Sequence, residues 1–314
     1  MTAGRANGGS VLCAASGSAC GKVILLGEHV VVHGRPAIAA GIARYVHARV
    51  VPRADGVRRL SVEDPRVSAA VDQAATLAGL DESAGFELEL GGDLPVSVGL
   101  GSSAAMAVAL LRALSASIRR PLALERLAES ANQLERQFHG RPSGIDTTAA
   151  AHGGLVWFEV GPPRVVCPIA VPASLAFVVA LSGTQHATGE MVGGLAARRA
   201  ADPEVYDRVF DAIGCLVLAA RGAIECDDRP RLGKLMTTNH ELLRACGIST
   251  PALDRVVARA LALGALGAKL TGGGGGGAVL ALPPGDDPEG LARALRAEGI
   301  EAFAARIAAA GGDA

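Results

Sequence analysis

The chain has 314 residues, half of them apolar, with 30 basic and 31 acidic side chains and a formal net charge of −1. That length suits two domains with ample core. The balanced charge, with no basic stripe, excludes nucleic acid and anionic membrane surfaces as expected partners, and no apolar stretch approaches the roughly 20 residues that span a bilayer.

Residues 1–20, rich in Gly, Ser and Ala, lack the continuous apolar core of a secretory signal, and about the first dozen read as a loose tail. Residues 23–26, Val-Ile-Leu-Leu ending at Gly27, predict a short buried strand. Residues 44–51 alternate Val46, Ala48 and Val50 with polar neighbours, a half-buried strand, and residues 86–90 alternate in the same way. Helices are expected from near Ser103 and over residues 122–138, then a strand at 155–158. This mixed order with early hairpins is unlike a regular βαβ series. Residues 166–174, with Pro168 and Pro172, form a plausible seam between domains. Beyond it come a strand at 175–181 and a long helix with Val205, Val209, Ile213, Leu216, Ala220 and Ile224 on one face. Helices at about 230–245 and 251–263 follow, then a strand, a glycine run, a strand at 278–282, a helix from about Asp287 and a final strand. Strands and helices in this order suggest a ferredoxin-like sandwich.

Cys13, Cys20, Cys167, Cys215, Cys226 and Cys246 are scattered, with no C-x-x-C pair, so they read as small residues and not as disulfides or zinc ligands. The cytoplasm is the expected location, and a homodimer is left open. Only Lys22, Lys234 and Lys269 among the basic residues are lysine, a hint that lysine stands where a compact ammonium is needed.

Four segments carry chemistry. PVSVGLGSSAA, from Pro95, feeds a glycine-rich turn into a helix start, where free N–H groups and the helix dipole favour an anion. A plain serine N-cap and a loose dinucleotide motif compete with that reading; no Lys-Ser/Thr pair follows to make a Walker loop. Glu135 falls on the apolar stripe of Leu124, Ala128, Ala131 and Phe138, so it needs a cation, a metal or donors; an internal pair with an arginine competes with Mg²⁺ carrying ATP phosphates. Asp146 ends the rigid turn of HGRPSGID, placed either to meet a substrate hydroxyl or to cap the next helix. Lys269-Leu270-Thr271 precedes six glycines, residues 272–277, poor as strand and suited to close approach of backbone to a ligand. GKVILLGEHVVVHG, from Gly21 to Gly34, opens a buried strand with Lys22 and closes it with Glu28 and His29; solvated strand flanks are the alternative.

Together with residues 232–253 and the run ISTPALD that closes them at 248–254, these segments resemble the galactokinase, homoserine kinase, mevalonate kinase and phosphomevalonate kinase (GHMP) superfamily, and within it the mevalonate kinases. The resemblance covers residues 18 to about 282. It implies an α+β, two-domain GHMP kinase fold: residues 1–170 ribosomal protein S5 domain 2-like, with the phosphate loop and catalytic acid, and residues 171–314 a ferredoxin-like α/β sandwich with the glycine-rich loop. By position, Pro95, Val98, Gly99, Leu100, Gly101, Ser102, Ser103 and Ala104 would wrap the ATP phosphates, and Ser103 and Glu135 would hold Mg²⁺. Asp146 would accept the proton of, or orient, the attacking hydroxyl, with Lys22 lowering its basicity and stabilising developing charge. Glu28 and His29 would serve the mevalonate side, and Gly273, Gly274, Gly275 and Gly276 would line the site from the second domain. The implied reaction is phosphorylation of the 5-hydroxyl of mevalonate to 5-phosphomevalonate. A kinase for phosphomevalonate, homoserine or a sugar, or a non-catalytic ATP-dependent sensor, is the alternative. Cys20 stands where the superfamily usually has Pro, Gly273 where Ala is usual and Ala278 where Cys is frequent. Residues 182–188 lack a basic residue that many relatives carry there.

Overall fold

The computed structural model of the chain describes residues 12–140, 142–170, 172, 175–184 and 188–312. Most of the expected tail, part of the expected seam, and Gln185 and His186 lie outside them. The first half comprises β1 (Ala15–Leu26), β2 (Ala37–Arg53), β3 (Arg58–Leu60), α1 (Pro65–Ala78), β4 (Gly85–Gly92), α2 (Ser102–Ser117), α3 (Leu124–Leu134), α4 (Ile145–His152), β5 (Leu155–Glu159) and β6 (Val165–Ile169). The second comprises β7 (Ala176–Leu181), α5 (Thr188–Ala201), α6 (Pro203–Glu225), α7 (Arg229–Ala245), α8 (Pro251–Ala262), β8 (Gly267–Thr271), β9 (Ala278–Leu282), α9 (Pro288–Ala297) and β10 (Ala302–Arg306).

The 17-residue β2 organises the first sheet. β1 runs antiparallel along one edge of it, from Ala15 opposite Val50 to Leu26 opposite Ile38. Its other edge is shared between β4 at one end and β5 at the other. The first strand is thus far longer than its four-residue apolar run, because pairing with β2 carries the small residues before Lys22 into the sheet. α2 lies across this sheet with Ala104, Ala105, Ala107, Val108, Leu110, Leu111 and Leu114 buried; its alanines let the helix approach the strands closely. Of the expected seam at 166–174, residues 166–169 belong to the edge strand β6, and Pro168 is tolerated there because an edge strand need not donate on both sides.

The second sheet has the order β10-β7-β9-β8, antiparallel throughout. Numbered within this half, that is 4-1-3-2, the order of a ferredoxin-like sandwich with α5–α8 and α9 as the two crossovers. The helix starts are written locally. Asp202, Asp228, Thr250 and Asp287 each accept an N–H from the first turn of α6, α7, α8 and α9, with proline at the first or second position. The buried stripe of α6 is Phe210, Ile213, Val217, Ala220 and Ile224. It is rotated from the expected one, and Val205 is left exposed at the helix start.

Among the contacts that tie the two halves, which include α6 packed on β1 and β2, two stand out. After β10 the chain returns to the first half, where Ile307 bridges Ile42 and Ala308 N–H donates to Gly41 O at 2.9 Å. The other tie joins β1 to β8 and lies beside the site. Among the described residues no helix is long and apolar enough to cross a membrane.

Candidate active site

The turn before α2 places the first group of residues. Gly101 is the N-cap, in the left-handed region at φ 73°, and no side chain caps the helix. The first N–H groups of α2 therefore have no intrahelical acceptor and no capping oxygen, the condition for an anion site. The serine hydroxyls are not spent as caps, which removes the plain capping alternative. Gly101 is required sterically: a Cβ there would sit 2.7 Å from Lys22 Cγ. Leu100 and Ala104 are buried and can offer only backbone, while Pro95, Val98, Ser102 and Ser103 are partly open.

Lys22, on β1, is held beneath this turn. Its N–H donates to Leu100 O at 2.8 Å, and its Nζ donates to Gly99 O at 3.2 Å. The same ammonium lies 3.1 Å from Asp146 Oδ2, with the lysine buried and the aspartate about one-third exposed. Asp146 stands in the first turn of α4, whose N-cap is Gly144 with no side-chain cap. Its carboxylate therefore goes to Lys22, and the capping alternative falls.

Glu135 sits just past the end of α3. The expected helix to 138 stops at Leu134, and residues 135–137 form a 3₁₀ turn. The tighter turn keeps Glu135 inward, at 2 % side-chain exposure. Its Oε1 is buried without a hydrogen-bond partner. Burial, reinforced by the negative charge of Asp146, pushes its pKa up to about 7, against the opposing effects of Ser103 and Lys22. His139 closes the group, its Nε2 3.5 Å from Ser103 Oγ and 3.9 Å from Glu135 Oε2. No role was expected for His139, although its spacing of four from Glu135 places it one turn on.

The glycine run of the second half abuts this turn. A Cβ on Gly277 would come within 3.0 Å of Val98 O, and one on Gly272 within 3.2 Å of Gly99 O. Gly274 (φ 73°) is pressed against Ile248, where a Cβ would stand 2.4 Å from its Cγ2, and Gly275 N–H donates to Ile248 O at 2.9 Å. Gly273 and Gly274 are partly open, whereas Gly275 and Gly276 are buried. His29, also left-handed at φ 63°, binds Gly273 O through Nε2 at 3.0 Å. A carbonyl only accepts, so Nε2 carries the proton. Burial lowers the imidazole to about 4 and leaves it neutral.

Glu28 departs from the substrate-side expectation. It is completely buried: Oε1 pairs with the ammonium of the equally buried Lys269, and Oε2 accepts from Asn239 Nδ2 at 3.2 Å. Both oxygens are spent on the junction between the halves. Asn239 carried no sequence signal, and Lys269 stood out only as a rare lysine inside a motif.

The residues brought together fit a divalent cation. Glu135 offers an unpartnered buried carboxylate oxygen and Ser103 a hydroxyl. Among the described residues no cluster of three or more His, Cys, Asp or Glu could hold a metal, so the donor set is sparse. That suits Mg²⁺, which takes one or two protein oxygens and fills its octahedron with water and phosphate.

The GHMP kinases N terminal domain family matches residues 66–154, and the GHMP kinases C terminal family matches residues 219–301. The chain is 33% identical over 303 residues to the mevalonate kinase of Pyrococcus horikoshii, covering 87% of this chain and 89% of the relative. It is 36% identical over 281 residues to that of Archaeoglobus fulgidus, covering 87% and 94%. The crystal structure of L. major mevalonate kinase in complex with R-mevalonate superposes with a TM-score of 0.83 at 35% identity, covering 94% of this chain and 96% of that one. With a two-sheet fold of this order and relatives matched along most of their length, the chain belongs to the mevalonate kinase family of the GHMP kinases.

Proposed function

We propose that this protein transfers the terminal phosphoryl group of ATP to the 5-hydroxyl of mevalonate, giving 5-phosphomevalonate. The observation that carries the reading is the Lys22–Asp146 pair at 3.1 Å, an acid and an ammonium at the mouth of a glycine turn whose helix N–H groups are free. The L. major relative's bound R-mevalonate names the alcohol.

In this reading the N–H groups at the start of α2, with the backbone of residues 99–101, bind the phosphates. Asp146 accepts the hydroxyl proton as the oxygen attacks. The Lys22 ammonium balances the charge of Asp146 and of the group in transfer. Gly273 and Gly274 close the site from the second half and exclude water. Such a set works by positioning and by neutralising phosphoryl charge. Ser103 and Glu135 would hold Mg²⁺, which supplies charge neutralisation on the phosphates. His29, neutral and anchored to Gly273, offers a hydrogen-bonding edge on the mevalonate side. We place the domain boundary near residue 170, between β6 and β7, and the protein in the cytoplasm, where six free thiols are kept reduced.

The test is ADP release measured over a panel of mevalonate, phosphomevalonate, homoserine and galactose. Turnover confined to mevalonate is expected. Turnover of another alcohol, with none on mevalonate, would reject the assignment.

A further inference from the structure

Lys269 is fully buried, and its three ammonium hydrogens are matched by three acceptors. These are Glu28 Oε1, Leu270 O at 2.5 Å and Ile24 O at 3.4 Å. Nothing on it is left over for a substrate. Thr271, two residues on, accepts from Ile24 N–H at 2.9 Å and donates to Ile24 O at 3.1 Å. Both backbone groups of Ile24 are therefore taken by side chains of β8, and Glu28, four residues further along, is bound by the same strand. Ile24 is two residues after Lys22. The second half thus grips β1 immediately beyond the residue whose ammonium meets Asp146 and Gly99.

A buried ion pair is weak evidence for stability as such, since apolar side chains of equal volume often serve as well. What they cannot supply is direction. Here the hydrogen bonds converge on one strand next to one functional lysine, and a displacement of about 1 Å in a reacting group can cost on the order of a hundredfold in rate. We propose that Lys269 and Thr271 are positioning residues for phosphoryl transfer, holding β1 at Ile24 and the turn after it at Glu28, and thereby setting where the Lys22 ammonium stands. Glu28, with Asn239 behind it, is the receiving half of that grip. The inference rests on the kinase reading above, and wild-type turnover of mevalonate in the same assay tests that reading separately.

Two variants decide it. The double substitution Lys269→Met with Glu28→Met removes both charges and keeps the volume, so it is expected to melt within a few degrees of wild type. Its kcat should fall by about tenfold to a hundredfold, with KM for ATP and for mevalonate within about twofold. Thr271→Val removes only a hydroxyl and should lower kcat about threefold to tenfold, again with KM held. A purely structural role predicts that kcat follows the folded fraction, so a stable double variant would work at the wild-type rate. Wild-type kcat in either folded variant, or a loss confined to KM, overturns the proposal. Should the double variant not fold, the threonine variant carries the decision alone.

Discussion

Two glutamates are buried within the same half of this protein and have opposite surroundings. Glu28, at the junction, gives one oxygen to an ammonium and the other to an amide. Glu135, below the glycine turn, keeps one oxygen without a partner, and its pKa rises to about 7. Folding alone satisfies the first and leaves the second in deficit. A buried carboxylate that the fold completes is part of the frame; one that the fold leaves incomplete calls for a proton, a water or a cation. Burial, nearly the same for both, does not distinguish them. The count of partners does.

The contrast should break most visibly at Asp146, whose charge is the second cause of the Glu135 shift. Asp146→Asn is expected to lower kcat by roughly 10²–10⁴-fold while nucleotide binding persists, and to let Glu135 titrate closer to its ordinary range. Steady-state kinetics with nucleotide titration checks this; near-normal turnover would take Asp146 out of the mechanism. At the other carboxylate the loss falls on stability. Glu28→Gln leaves the Lys269 ammonium buried without a counter-charge and should destabilise by about 3–5 kcal/mol, read from denaturant unfolding. A cost under about 1 kcal/mol would mean that the pair is not the frame we take it to be.

Much of this arrangement was legible in the chain. The stripe Leu124, Ala128, Ala131 turned Glu135 inward, and two glycines around a leucine before a serine pair marked the helix start. The helices expected at about 230–245, at 251–263 and from about Asp287 begin at Arg229, Pro251 and Pro288. What could not be read was long-range. Asp146 and Lys22 are 124 positions apart, and no local pattern sets the 3.1 Å between them. Glu28 looked like a strand flank next to His29; only the approach of β8 from the other half shows that Lys269 claims it. The 3₁₀ turn at Glu135 and the strand at 165–169 were missed for the same reason. Tertiary pairing overrode a helical period in one case and a proline signal in the other.

The next effect is in pH. The folded pKa of Glu135, about 7, lies above its ordinary 4.5. Between those values the folded state binds the proton that the unfolded state has lost, so stability falls as pH rises. The loss is complete above pH 7 and amounts to about 3 kcal/mol. His29 runs the other way: its folded pKa of about 4, below 6.5, gives stability that is present above pH 6.5 and lost as pH falls through 4. The two windows overlap, so the wild-type profile hides both. Glu135→Gln separates them. Without divalent cation, the variant should match wild type below about pH 4.5 and exceed it increasingly up to pH 7 in thermal unfolding; a constant gap from pH 4 to 8 would erase the distinction between the two glutamates.

The smallest effect bears most directly on the cation. If Glu135 must give up its proton before Mg²⁺ is held, protons and Mg²⁺ compete for the same oxygen. The Mg²⁺ concentration for half-maximal turnover should then rise roughly tenfold per pH unit below about 7 in wild type, as expected for one proton lost with a pKa near 7. Glu135→Gln should need at least about tenfold more Mg²⁺ at pH 8, equivalent to about 1.4 kcal/mol, yet show no such rise on acidification, because its amide has no proton to surrender. The paired result matters more than either part. A higher Mg²⁺ demand that kept the wild-type pH dependence would assign the titration to another group and leave Glu135 a buried acid without a cation to complete it.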